Sequence, residues 1–212
     1  MAPGPMNRRL GVLISGRGSN LQALIDAIRE RRLEATIAVA ISNRADAAGL
    51  TRARQAGIET LVIDHRASAS RDDHDRAVAR ELRARDVGLV CLAGYMRLVG
   101  PELLNAYPNA IVNIHPSLLP AFPGIDAQRQ ALEHGARVTG VTVHLVTSEL
   151  DNGPIIVQRP VAVMADDTLD ALAARILAEE HRAYPEAVQL VLDGGWRIEG
   201  RRFVRSASAA SA

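Results

Sequence analysis

The sequence predicts an α/β fold: a single domain with a mostly parallel, twisted sheet and helices on both faces. Three features carry this expectation. Leu10 to Ile28 runs strand, glycine turn, helix, which is one βα unit. Short apolar, β-branched runs then alternate with helical periodicity through the first half, the pattern of parallel strands joined by crossover helices. Later, Val138 to Val146 alternates Thr142 and His144 against Val141, Val143 and Leu145, which reads as a half-exposed strand antiparallel to the rest.

The elements follow in order. Leu10–Ile14 is an apolar strand ending in Ser15-Gly16-Arg17-Gly18-Ser19-Asn20, and Leu21, Leu24, Ile25 and Ile28 share one face of the next helix. Ser19 or Asn20 is placed to cap that helix. Thr36 to Ile41 is the second strand, Ala45 to Ala56 a helix closed by Gly57, and Glu59 to Ile63 the third strand. A charged helix over residues 71–85 turns Val78 and Leu82 inward, and Gly88 to Leu92 is a strand. Gly94 to Pro101 is an apolar loop directly after it. Ala110 to Ile114 is a buried strand, followed by a proline-rich loop and a helix over 126–134. Ile155 to Val163 is a strand. Leu169 to Leu192 is helical, with Pro185 expected to kink or divide it. Trp196-Arg197-Ile198 and Arg202-Phe203-Val204 flank a Glu199-Gly200-Arg201 turn, so a small hairpin is expected. No repeat or linker divides the chain: the domain covers 8–204, and 205–212, only serine and alanine from Ser206 on, reads as a frayed, disordered tail.

Composition narrows the function. The 212 residues suit one domain with a sizeable core, and a net charge of +1 gives no case for nucleic acid or an anionic membrane. All 25 basic residues are arginine, which rules out a lysine Schiff base and a P-loop lysine. The single Cys91 lies in an apolar run and reads as a buried thiol of a reducing compartment. No apolar segment approaches membrane-spanning length and Met1 to Asn7 lacks signal-peptide character, so the expected location is cytoplasmic.

The chemistry is expected around Asn113-Ile114-His115-Pro116-Ser117-Leu118-Leu119-Pro120. Pro116 and Pro120 stop a regular ladder, so Asn113 and His115, two residues apart, point the same way at a strand's carboxyl end. That rim is where open α/β sheets bind ligands. An amide and an imidazole aimed together can donate two hydrogen bonds to one developing oxyanion. A capped strand end with a satisfied histidine is the plainer reading. Asp151, in the turn Asp151-Asn152-Gly153-Pro154, could approach His115 and hold its orientation, or serve only as a turn residue. The glycine loop offers free N–H groups at a helix start, a natural phosphate site. It is no dinucleotide fingerprint: Leu21 stands at the third glycine's place, and the second strand ends in Ser42-Asn43 rather than an acid. A serine triad on Ser117 lacks the G-x-S-x-G elbow, and a metal site from His115, His144, Asp151 and Cys91 lacks a close ligand pair. Arg71 by itself reads as a solvated surface arginine.

These motifs, in order over roughly residues 8–192, resemble the phosphoribosylglycinamide formyltransferase family of purine biosynthesis. The matching runs are 13–21, Ile41-Ser42-Asn43-Arg44, Leu92-Ala93-Gly94-Tyr95-Met96-Arg97, 113–120, Thr142-Val143-His144 and 151–156. The resemblance implies the formyltransferase fold with a Rossmann-like amino-terminal half, and small-molecule substrates. It implies transfer of a formyl group from 10-formyltetrahydrofolate, a cosubstrate, to the amine of glycinamide ribonucleotide, with no metal. It assigns Asn113, His115 and Asp151 as the catalytic set, Gly18, Ser19 and Asn20 to the phosphate, and Glu180 to the ribose. Arg71, Met96, Arg97, Leu98, Val99 and Asn113 fall on the folate side, the 148–153 loop surrounds the pterin, and His144 is a second histidine near the site. Two departures stand out. Asn152 replaces the first of two glycines in many members, which asparagine's tolerance of left-handed turns would accommodate, and Arg17 replaces an asparagine of some relatives. A formyl-folate deformylase is the nearest alternative, although such enzymes usually carry an extra amino-terminal domain. Methionyl-tRNA formylation would call for an RNA-binding domain and a basic excess, and a non-catalytic binding module would not need the Asn113/His115/Asp151 set. These motifs do not fix an oligomeric state; a homodimer is compatible with them.

Overall fold

The computed structural model describes residue 4 and residues 6–206. Among these residues, nine strands form one sheet, in the order β3-β2-β1-β4-β5-β6-β7-β9-β8. The first five, β1 (Arg9–Ile14), β2 (Thr36–Ser42), β3 (Thr60–Val62), β4 (Leu89–Leu92) and β5 (Ile111–His115), pair parallel. β6 (Val138–Leu145) and β7 (Ile155–Ala162) then run antiparallel. β8 (Trp196–Glu199) and β9 (Arg202–Arg205) form the expected hairpin, joined to β7 through the single pair Ile155↔Arg202. The helices are α1 (Ser19–Arg29), α2 (Ala48–Gln55), α3 (Arg71–Arg83), α4 (Pro101–Ala106), α5 (Ala127–Glu133) and the long carboxy-terminal α6 (Leu169–Leu192).

The hydrophobic pattern explains the layers. Leu10, Val12, Leu13 and Ile14 are fully buried, as β1 lies inside the sheet with helices on both faces. Gly11 makes room for α3: a side chain there would meet Leu82 Cδ2 at 2.3 Å. On α6, Leu172, Ile176, Ala183, Tyr184, Val188 and Leu192 are buried, and the Tyr184 hydroxyl donates to the Leu92 carbonyl at 2.8 Å, tying the helix to the end of β4.

Several expectations change. Neither Ser19 nor Asn20 caps α1; both belong to its first turn, and Gly18 is the cap residue with φ 70°. A side chain at Gly18 would lie 2.5 Å from Gly49 Cα, so glycine is needed for both conformation and close approach. Helix α4 is not among the expected elements, although Pro101 at its start and Glu102 in its first turn are ordinary start signals. β6 is buried along its length except Val138, because polar Thr142 and His144 face structured segments rather than water. Pro185 divides nothing: α6 is continuous through it. Arg205 closes β9 and the Ser206 N–H donates to Gly195 O at 2.7 Å, so the expected tail gives up its first two residues to the fold; residues 207–212 lie outside those described.

Candidate active site

The site begins where parallel strands give way to antiparallel ones. β5 carries Asn113 and His115 opposite His144 and Thr142 of β6. The turn before β7 brings Asp151 between them. Its Oδ2 lies 3.4 Å from His115 Nδ1 and accepts the Gly124 N–H at 2.8 Å; its Oδ1 lies 3.5 Å from Asn113 Nδ2 and 3.7 Å from His144 Nε2. The side chains of His115, His144 and Asp151 are nearly closed to solvent, at 6, 2 and 7% exposure. Burial alone would raise the Asp151 carboxyl. The His144 contact, the Gly124 N–H and the charge of His115 outweigh it and hold the carboxyl below its ordinary range, so Asp151 is ionised at neutral pH.

Hydrogen-bond bookkeeping fixes the rest. A carbonyl only accepts, so His144 Nδ1–H donates to Leu145 O at 2.9 Å. Nε2 of the neutral ring then accepts from Asn113 Nδ2 at 3.2 Å, whereas on a protonated ring it turns its N–H to Asp151. His115 Nε2–H donates to the Phe122 carbonyl at 2.8 Å. The turn carrying Phe122 is itself braced. Ser117 Oγ donates to Ala121 O at 2.5 Å, and Thr142 Oγ1 donates to Ser117 O at 2.7 Å and accepts from the Leu119 N–H at 3.0 Å. Gln158 Nε2 adds a bond to Leu119 O at 2.9 Å. Nothing local assigns Thr142 or Gln158 this bracing role; polar positions set among apolar strand neighbours are the available signal.

Asp151 takes φ 48°, whereas Asn152 does not enter the left-handed region. The expected accommodation by asparagine is therefore corrected: the unusual backbone falls one residue earlier. Gly153 is constrained by space, because a side chain there would meet Leu145 O at 1.7 Å. Asn152 Nδ2 donates to Glu149, and its Oδ1 accepts from Arg201 of the β8–β9 turn.

Two further loops leave β1 and β4, the strands that precede β5 in the sheet. After β1, the residue 18–20 amides open α1, whose first-turn N–H groups lack helical partners. Asn20 Nδ2 donates to Glu180 Oε2 at 2.9 Å, while Asn20 Oδ1 is buried without a partner. Burial raises the Glu180 carboxyl, opposed by the Asn20 bond and the Arg17 charge. After β4, Met96 and Leu98 stand 73 and 54% exposed, in a loop anchored at both ends. Tyr95 Oη lies 2.8 Å from His74 Nε2, and Asp75 Oδ2 accepts the Gly100 N–H at 2.6 Å. His74 is fully buried. Burial, with the Arg97 and His65 charges, lowers it to about 4, so this anchor stays neutral across the physiological range. Arg71 is the first residue of α3 and is exposed, as a solvated surface arginine is expected to be, and its Nε lies beside Gly100, so it borders this loop. Cys91 is fully enclosed and its thiol is pushed up to about 12 by burial, apart from the cluster. Among the described residues, no group of three histidine, cysteine or carboxylate side chains has the arrangement of a metal site.

Fold and site together define an α/β enzyme whose amide, imidazole and carboxylate converge at the end of β5, with a glycine-rich loop after β1 and an exposed apolar loop after β4. The formyl transferase family model matches residues 8–188, and the chain belongs to that family. It is 46% identical over 183 residues to the phosphoribosylglycinamide formyltransferase of Escherichia coli K12, covering 86% of each chain. It is 47% identical to part of the Drosophila melanogaster trifunctional purine biosynthetic protein adenosine-3, covering 88% of this chain but spanning only 14% of that protein's length. The crystal structure of glycinamide ribonucleotide transformylase 1 from Symbiobacterium toebii superposes with a TM-score of 0.91 at 58% identity, covering 93% of this chain and 94% of that one. Within the family, the chain groups with the phosphoribosylglycinamide formyltransferases.

Proposed function

We propose that this enzyme transfers the formyl group of 10-formyltetrahydrofolate to the amine of N1-(5-phosphoribosyl)glycinamide. The observation that carries this reading is the convergence of Asn113, His115 and Asp151 at the end of β5, in the parallel half whose β1 and β4 lead into two loops of contrasting chemistry. The free amides of residues 18–20 suit a phosphate, and Glu180 suits ribose hydroxyls. The exposed apolar surface of Met96 and Leu98, with Val99 beside them and Arg71 at the loop's border, suits a flat aromatic ligand with an anionic tail. Arg97 adds to this edge, its charge close enough to be felt at His74 and Asp75.

In this reading the glycinamide nitrogen attacks the formyl carbon, forming one C–N bond and a tetrahedral oxyanion. Asn113 Nδ2 and His115 Nε2 are the donors assigned to that oxygen. In the free enzyme His115 Nε2–H donates to Phe122 O, so it exchanges this carbonyl for the oxyanion, a stronger, charged acceptor. Asp151 holds the imidazole by its Nδ1 edge. The bond from the formyl carbon to folate N10 then breaks, and one proton passes from the amine to that nitrogen through water. The products are formylated glycinamide ribonucleotide and tetrahydrofolate. Incubation with both substrates should yield one formyl group on the nucleotide, detected by mass spectrometry; an unmodified nucleotide beside consumed folate would contradict the reading.

Glu180 supplies a second test with opposed readouts. A buried carboxyl whose folded-state value is raised contributes stability below its unfolded range and loses it as pH rises through the folded value. Glu180→Gln removes that cost while keeping an acceptor for Asn20. The variant should therefore melt higher than the parent at neutral pH. It should also bind the nucleotide roughly 10-fold to 100-fold more weakly, the scale of a lost hydrogen bond to a charged group. Calorimetry and titration check the two effects together, and unchanged nucleotide affinity would remove Glu180 from the ribose site.

A further inference from the structure

We propose that Ser15 is a positioning residue that couples the nucleotide loop to the folate loop. The proposal rests on the two-substrate reading above, and no part of the catalytic set is involved. Ser15 follows β1, which lies between β2 and β4 in the sheet, and it is 5% exposed. Its hydroxyl donates to Asn43 Oδ1 at 2.6 Å and accepts the Met96 N–H at 2.8 Å. Its own N–H donates to Gly94 O at 3.1 Å. Asn43, 3% exposed, sits just past β2, with its Nδ2 3.2 Å from His65 Nδ1. One buried hydroxyl thus joins the loops that leave three adjacent strands.

The consequence follows from what lies on each side. Toward the chain's next residues, Ser15 leads into Gly16 and the amides over 18–20 that suit the phosphate. Across the sheet it holds the amide of Met96, whose side chain faces outward at the folate edge. The bond to Asn43 is buried, so a displaced hydroxyl leaves Asn43 Oδ1 buried and unpaired, and the Met96 N–H loses its partner as well. Ordering of one loop by its ligand therefore orders the other, and the second ligand meets a site whose ordering cost is already partly met. Linkage makes this reciprocal: each ligand tightens the other by the same factor.

Glycinamide ribonucleotide and tetrahydrofolate, which cannot react together, allow the coupling to be measured directly. Nucleotide binding is titrated with and without saturating tetrahydrofolate, in the parent enzyme and in Ser15→Ala. The parent should show tightening of about fivefold or more, and the variant a ratio near one, whatever its individual affinities. Ser15→Thr, which keeps the hydroxyl, should restore the ratio; a purely structural role for Ser15 would weaken both ligands without changing it. If Ser15→Ala does not fold, Asn43→Ala is used instead: it leaves the hydroxyl bonded to the Met96 N–H but removes the acceptor that orients it, and should lower the ratio toward one. Equal ratios in parent and folded variant, or a parent ratio of one, overturn the proposal. A parent that binds neither ligand overturns the two-substrate reading itself, and the coupling with it.

Discussion

His115→Asn is expected to fold and to lose roughly 10²-fold to 10⁴-fold in turnover, the scale of an acid or oxyanion donor. The fold should survive because the turn facing His115 is braced independently, by Ser117, Thr142 and Gln158. The lost bond to Phe122 O accounts for only about 1 kcal/mol of stability. Asparagine is shorter than histidine, so its amide does not bring a donor to the position of Nε2. Steady-state kinetics beside a thermal melt separates the two effects. A cooperative melt with near-parent turnover would sink the assigned role.

Asp151→Asn should cost on the order of 10²-fold in turnover, with nucleotide affinity preserved. The geometry explains why an isosteric change is not neutral. Oδ2 accepts the Gly124 N–H at 2.8 Å, so the new amide keeps its oxygen there and turns its NH₂ toward Asn113 Nδ2 at 3.5 Å. Two donor groups then face each other, and His115 loses the charge beside Nδ1. The pH dependence has a definite sign. Asp151 has a folded-state value below its ordinary 3.8, so its stabilising contribution is present above that range and is lost as pH falls through the folded value. The stability gap between parent and Asp151→Asn should therefore narrow in acid. Thermal melts from neutral pH downward test this; a gap that widens in acid would contradict it.

Much of this is legible in the residues. The βα alternation specifies the parallel half, and the alternation in Val138–Leu145 announces the antiparallel strand. Asn113 and His115 can be paired from their two-residue spacing alone. Burial of β6 is not legible, because Thr142 satisfies its hydroxyl against a loop distant in sequence and His144 finds Asn113 on the neighbouring strand. The Gly18 cap escapes a sequence reading because serine and asparagine stand beside it as stronger side-chain caps, whereas the close approach of Gly49 decides the conformation. The Asp75–Gly100 and His74–Tyr95 anchors link residues 25 and 21 apart, which no local periodicity reveals. Ser15 reads as part of a glycine turn, and its role as a junction emerges only when three strand ends are brought together.

The most direct test of the central claim is consumption of 10-formyltetrahydrofolate, followed by absorbance, with and without glycinamide ribonucleotide. Consumption is expected only when the nucleotide is present, matched by formylated product. Equal consumption without the nucleotide would contradict it and mark the enzyme as a hydrolase of formyl-folate.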